Sequence, residues 1–287
     1  MVQRILVTGR EGQIARSLAR FGLDQELVFA ARPEFDLADF ASIEAMMARV
    51  RPDLVVSAAA YTAVDRAEEE PELAMRHNGE APGVLARAAA NVGAKVIHLS
   101  TDYVFSGGIE RAWREDDPVD PINIYGRSKA LGEQAIAESG AEYVILRTAW
   151  VYSPFGSNFV KTMLRLAQDR DEISVVSDQF GNPTSADEIA RGIGAITGKW
   201  QPGIFHLAGT GDASWADFAK EILAESEACG GPVATVEPIM SCDFPTKAAR
   251  PSNSRLDCSK FAEAFAFRPQ HWKKELALVV REILKAD

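Results

Sequence analysis

The sequence predicts a doubly wound α/β fold, a parallel sheet with helices on both faces, followed by a smaller C-terminal lobe. Three observations carry that expectation. Short continuous apolar runs alternate with stretches of helical period through the first half, as strands buried on both faces and joined by crossover helices must. A glycine-punctuated turn follows the first run and opens the first helical stretch. After Trp150 the alternation loosens and Pro and Gly become frequent, marking a change of architecture.

The elements follow in order. Residues 4–8 (Arg-Ile-Leu-Val-Thr) read as a buried strand, 9–12 as a turn and 13–20 as a helix. Residues 26–30 form a second strand, 42–49 a helix and 54–57 a third strand. A long helix is expected over 72–91, a strand over 95–99, a helix over 125–139 and a strand over 142–147. Beyond Trp150, helical periods cover 158–168, 186–197 and 272–285, with a strand at 203–207. Residues 230–251, rich in Pro, Gly and Ser, are expected to be loops. The expected division is a dinucleotide-binding domain over 1–150, with a return segment near 185–210. A lobe for substrate would take mainly 151–184 and 211–287.

Composition narrows the function. With 287 residues, 47% hydrophobic and 25% charged, the chain has the balance of a globular protein. A net charge of −10 argues against a general nucleic-acid binder. No apolar run approaches the roughly 20 residues of a membrane helix, and residues 1–7 lack the pattern of a signal peptide. Cys229, Cys242 and Cys258 are odd in number without a Cys-x-x-Cys, so a disulfide framework is not expected and the cytoplasm is. His77, His98, His206 and His271 are scattered, and no metal site is expected.

Three motifs carry chemistry. In Thr8-Gly-Arg-Glu-Gly-Gln-Ile-Ala15, backbone N–H groups at a helix start can hold a pyrophosphate, with Gly9 and Gly12 allowing the turn and close approach. Tyr125 and Lys129 are four apart on a helix and share a face. A phenol with a reference pKa of about 10 becomes a usable acid when an ammonium stabilises its phenolate. Leu99-Ser-Thr-Asp-Tyr-Val-Phe105 ends the fourth strand at the carboxyl edge, where open α/β sheets bind ligands. Each has a bland alternative: a structural turn, a surface Tyr with a solvated Lys, and hydroxyls that merely end a strand.

Together these segments resemble the extended short-chain dehydrogenase/reductase family over nearly the whole chain. Further matching segments are 51–68, Arg147-Thr-Ala-Trp-Val-Tyr152, Asp178-Gln-Phe-Gly-Asn-Pro-Thr184 and Arg250-Pro-Ser-Asn-Ser-Arg-Leu256. The resemblance implies a Rossmann-type domain and an NAD(P)H-dependent reduction of the C4 ketone of a dTDP-4-dehydro-6-deoxy sugar. By the same resemblance Tyr125 protonates the ketone oxygen, Lys129 lowers the phenol pKa and bonds the nicotinamide ribose, and Thr101 orients the carbonyl. Gly9, Glu11, Gly12, Gln13, Ile14, Asp36, Leu37, Ala58, Ala59, Ala60, Tyr61, Asn78 and Ser100 would line the cofactor. Asp102, Tyr103, Trp150, Asn158, Arg165, Gln179 and Arg250 would join Thr101 around the nucleotide sugar, with Arg165 facing either a diphosphate or solvent.

The second strand ends Phe29-Ala30-Ala31-Arg32, without the acidic residue that binds the ribose hydroxyls in NAD enzymes. Arg32 can pair with a 2′-phosphate, so NADPH is expected as the preferred cofactor and NADH as a second option. Some relatives are metal-bridged dimers through a Glu soon after the glycine turn; here Ser17 stands in that place, so such a dimer is not expected. Two other readings stay open: a non-catalytic nucleotide-binding regulatory subunit, and an epimerase or dehydratase of the same fold.

Overall fold

A computed structural model describes residues 4–22 and 25–286. Its elements, in chain order, are β1 (Arg4–Thr8), α1 (Gln13–Phe21), β2 (Glu26–Ala30), α2 (Phe40–Val50), β3 (Leu54–Ser57), α3 (Val64–Ala67) and α4 (Pro71–Ala74). A π-helical turn (Met75–Glu80) then leads into α5 (Ala81–Val92), β4 (Lys95–Thr101), α6 (Ile124–Ala137), β5 (Tyr143–Thr148), β6 (Val151–Tyr152), α7 (Phe159–Asp169) and β7 (Glu172–Val176). The chain ends with β8 (Phe180–Gly181), β9 (Thr184–Ser185), α8 (Ala186–Gly198), β10 (Gly203–His206), β11 (Ala213–Ser214), α9 (Trp215–Ala228), β12 (Thr235–Ile239), α10 (Ser259–Phe265) and α11 (Trp272–Ala286).

Six strands form one parallel sheet in the order β2-β1-β3-β4-β5-β10. Alternate side chains go to opposite faces, as the period of two requires. Ile5, Val7, Leu54, Val56, Ile97, Leu99, Val144 and Leu146 pack on one face with residues of α1, α8 and α10. Leu6, Val55, Val96 and Ile145 pack on the other with residues of α2 and α5. Each fully buried aliphatic side chain of this kind contributes about 1.5–3 kcal/mol. The chain passes from β1 out to β2, then crosses to β3 on the other side of β1. The strand order therefore reverses between β1 and β3, the place where open α/β sheets bind ligands.

A second cluster joins α7, α9, α11 and the parallel pair β7–β12 around Phe218, Trp272, Leu276 and Val280. Here the structure departs from expectation. Residues 230–251 are not all loop: β12 lies within them, and Pro238 is tolerated in a strand of a two-stranded sheet because one edge is unpaired. α9 was not expected, although Ser214 and Asp217 form a capping box that was readable as Ser-x-x-Asp. Nor was α10, whose Phe261, Ala264 and Phe265 return the chain to the core of the large sheet. The long helix expected over 72–91 is interrupted by the π-helical turn that carries Asn78. No described helix is long and apolar enough to cross a membrane.

Candidate active site

The glycine turn sits at the reversal point of the sheet. Gly9 adopts φ +86°, a left-handed conformation that costs other residues free energy. Its N–H donates to Ala30 O at 2.7 Å, tying the turn to the end of β2. Thr8 Oγ1 accepts from the N–H groups of Ala58 and Ala59, both at 2.9 Å, so the β1 and β3 loops are fastened together. Gly12 caps α1 without a side-chain hydrogen bond, and among the described residues nothing lies within 4 Å of where its Cβ would be. Unsatisfied helix-start N–H groups, an open cradle and the small side chains of Ala58, Ala59 and Ala60 fit a dinucleotide pyrophosphate. Glu11 is exposed beside them, while Gln13 and Ile14 are half-buried.

Several expected cofactor residues have other partners. Asn78 is buried; its Oδ1 accepts from Tyr61 N at 2.8 Å, and its Nδ2 donates to Tyr61 O at 2.9 Å and Ser128 Oγ at 3.0 Å. It therefore clamps the loop after β3 to α6. The Tyr61 hydroxyl donates to Glu70 Oε2. Ser100 donates to Glu133 Oε1 from the face of β4 covered by α6. Leu37 is buried in the core beside α2, and Asp36 Oδ1 accepts from Ala38 N. Arg32 is exposed just beyond β2.

The proton-transfer group converges at the carboxyl edge of β4. Asn123 caps α6 by accepting from Gly126 N at 2.7 Å, which sets Tyr125 and Lys129 in the first two turns. Tyr125 packs edge-on against Tyr103, with ring centroids 5.9 Å apart. Burial pushes its phenol up to about 12, against the opposing hydrogen bond with Thr101. The sequence implied a phenol lowered by Lys129. The structure instead has desolvation dominant, with the ammonium engaged elsewhere: Lys129 Nζ donates to Leu99 O at 2.6 Å and lies 3.2 Å from His98 Nε2. Burial lowers Lys129 to about 8, partly offset by Glu133.

Thr101 Oγ1 donates to Asp102 Oδ1 at 2.9 Å and accepts from Tyr103 N at 3.2 Å. Asp102 is buried and raised to about 7 by desolvation, and its Oδ2 has no hydrogen-bond partner among the described residues. A Cβ at residue 126 would lie 2.1 Å from Tyr103 O. Gly126→Ala is therefore expected to push α6 from the Tyr103 turn, costing about 1–3 kcal/mol as overpacking does. Urea denaturation measures it; an unchanged midpoint would show that the turn yields freely.

The residues expected around the sugar are less uniform. Trp150 adopts φ +47° and stacks on Trp215 with centroids 3.5 Å apart. Its indole occupies the space a Cβ at Gly181 would need. Asn158 caps α7, and its amide N–H groups serve Gln13 Oε1, Ser153 O and Phe155 O, which makes it a fastener between Gln13 at the start of α1 and the segment leading into α7. Arg250 forms a two-pronged ion pair with Asp65 at 3.0 and 2.6 Å, beside Tyr103. Arg165 lies on the exposed face of α7, and Gln179 is half-buried before β8.

Sequence reasoning missed the polar floor under these groups. Arg147, 2% exposed, holds Glu133 through Nε and Nη2 at 3.0 and 2.7 Å. A charged residue inside the apolar strand 143–148 was the available signal, because such residues are rarely buried unpaired. Glu133 follows Lys129 by four and Tyr125 by eight, another periodicity that could be read directly.

Residues 3–285 match the family model described as RmlD substrate binding domain. A dTDP-4-dehydrorhamnose reductase of Sinorhizobium fredii is 45% identical over 289 residues, covering 98% of each chain. The protein of the same name from Escherichia coli is 39% identical over 291 residues, covering 97% of each. Among solved structures, dTDP-4-dehydrorhamnose reductase from Bacillus anthracis in complex with NADP is similar with a TM-score of 0.93 and 34% identity, over 98% of this chain and 100% of that one.

Proposed function

The chain belongs to the RmlD substrate binding domain family, and we propose that it catalyses the NADPH-dependent reduction of the C4 ketone of dTDP-4-dehydrorhamnose, the last step in forming dTDP-L-rhamnose. The observation that carries this reading is the gathering of Thr101, Tyr125 and Lys129 at one sheet edge, in a chain alike along its whole length to reductases of that name.

When bound, NADPH supplies the hydride. The remaining work falls to side chains of the chain. A phenol held at about 12 is fully protonated at neutral pH, so Tyr125 arrives with its proton and passes it to the developing C4 oxyanion. Thr101 donates a hydrogen bond to the same oxygen once it turns from Asp102. The Lys129 cation stabilises the phenolate that remains, with the one N–H left after Leu99 O and His98 are served. Asp102 Oδ2, buried without a partner among the described residues, is free to accept from a sugar hydroxyl. The free cysteines suit a cytoplasmic setting. Substrate-dependent NADPH oxidation by the purified protein tests the reading. Its absence with both cofactors, despite cofactor binding, would replace it with another nucleotide sugar or a regulatory role.

Cofactor choice is assigned to Arg32, with Arg10 of the glycine turn as a second cation on the same edge; both are exposed. Arg32→Ala is expected to weaken NADPH binding by about tenfold or more, the loss of a charge-assisted hydrogen bond, with NADH binding nearly unchanged. Titrating both cofactors by fluorescence checks this. Undiminished NADPH affinity would shift the role to Arg10.

A further inference from the structure

Below Lys129 runs a buried chain of hydrogen bonds that the proposed chemistry does not use. His98, on β4, is 1% exposed. It is paired in register with Ser57 of β3, and its Nδ1 lies 3.0 Å from Ser57 Oγ. Its Nε2 lies 3.2 Å from Lys129 Nζ, which also donates to Leu99 O. An ammonium has only protons to offer. Nε2 must therefore be the bare acceptor, and Nδ1 must carry the ring proton and donate it to Ser57 Oγ. The ammonium thus selects the tautomer, and Ser57 Oγ accepts the Nδ1 proton and holds the ring's orientation. A doubly protonated ring would place two cations 3.2 Å apart in a buried site, so the neutral form is the one that fits. Burial and the Lys129 charge both hold the ring well below its ordinary pKa.

We propose that His98 is a positioning residue for Lys129: a neutral imidazole, oriented by Ser57, that keeps the buried ammonium charged and in place through the catalytic cycle. This rests on the role given to Lys129 above. The other groups facing the ammonium leave room for such a contribution. On α6, Glu133 favours the cation, but its carboxylate is already bound by Arg147 of β5 and by Ser100. Tyr125 lies one turn before Lys129, and the Asp102 charge acts on Tyr125. Ser57 of β3 and Asn78 of the π-helical turn are neutral. A lysine already drawn down to about 8 by burial has little margin at physiological pH.

The test is the pH profile of kcat with NADPH and dTDP-4-dehydrorhamnose. Wild-type activity should fall on the alkaline side near the Lys129 pKa of about 8. His98→Leu removes a hydrogen bond to a charged group, so the alkaline limb should move to lower pH by about one unit. The KM for NADPH should stay within about twofold, because the cofactor cradle is untouched. His98→Gln, whose carbonyl oxygen can take the place of Nε2, should return the limb toward wild type. Ser57→Ala removes the acceptor that holds Nδ1–H and orients the ring, and should shift the limb in the same direction by less.

An unmoved limb in folded His98→Leu overturns the proposal, as does a Gln variant no better than Leu. If His98→Leu does not fold, Ser57→Ala decides: an unmoved limb there overturns it too. Lys129→Ala separates the two levels of argument. Retained turnover in that variant sinks the role of Lys129 itself, whereas lost turnover beside unmoved His98 and Ser57 profiles sinks only the present inference.

Discussion

Tyr125→Phe is expected to lower kcat by about a hundred- to ten-thousand-fold, the range that removal of a positioned general acid produces, while NADPH binding persists. The substitution deletes one oxygen and leaves the ring. The ring's place is set by its edge-on contact with Tyr103 and by the Asn123 cap that starts α6, neither of which needs the hydroxyl. Burial keeps the proton on Tyr125 at neutral pH, so the residue begins reduction as an acid. Following nicotinamide absorbance with and without substrate measures turnover, and fluorescence titration measures cofactor binding. Turnover near wild type would remove Tyr125 as the acid and direct attention to Tyr103.

The largest effect on stability is expected from Arg147→Ala. Its guanidinium is buried against Glu133 and lies over the Phe105 ring, 5.0 Å from the centroid. Removing it strands the Glu133 carboxylate, which also accepts from Ser100, in the interior. Breaking a buried pair from one side costs about 3–5 kcal/mol, far more than the pair is worth against an apolar replacement. The double substitution Arg147→Met with Glu133→Leu should therefore recover much of the loss. Chemical denaturation of the single and double variants checks both statements. A single-variant loss below about 1 kcal/mol would mean that water reaches the carboxylate and the pair behaves as a surface contact.

The contrast between these side chains shows how much of the site could be read in advance. Tyr125 and Lys129 announce themselves by a spacing of four, and Gly9 and Gly12 by their place between a strand and a helix. Glu133 belongs to the same helical face, yet its function as an anchor depends on Arg147, which comes from another strand. Asn158 and Arg250 looked like ligand-binding groups in the chain. In the fold their hydrogen bonds go to Gln13, Ser153 and Asp65. Ser153 is near Asn158 in the chain, but nothing near either residue foretells Gln13, 145 positions from Asn158, or Asp65, 185 from Arg250. Among the larger elements, α9 carried a readable capping box, whereas β12 is a strand because β7 lies beside it.

The sequence by itself determined the parallel sheet, the glycine turn between its first strand and first helix, and the Tyr125–Lys129 pair. All of these are written in local periodicity or in short fixed spacings, which the 2.0- and 3.6-residue repeats of strand and helix turn directly into shared faces. Only the tertiary structure decided the ionisation of the site and the partners of its polar groups. Lys129 meets His98 across 31 positions, Glu133 meets Arg147 across 14, and Asp65 meets Arg250 across 185. Such pairings arise when distant segments are buried together. Burial then makes each donor and acceptor compete for whichever partner lies within about 3 Å, because an unmet polar group in the interior costs more than any one bond returns.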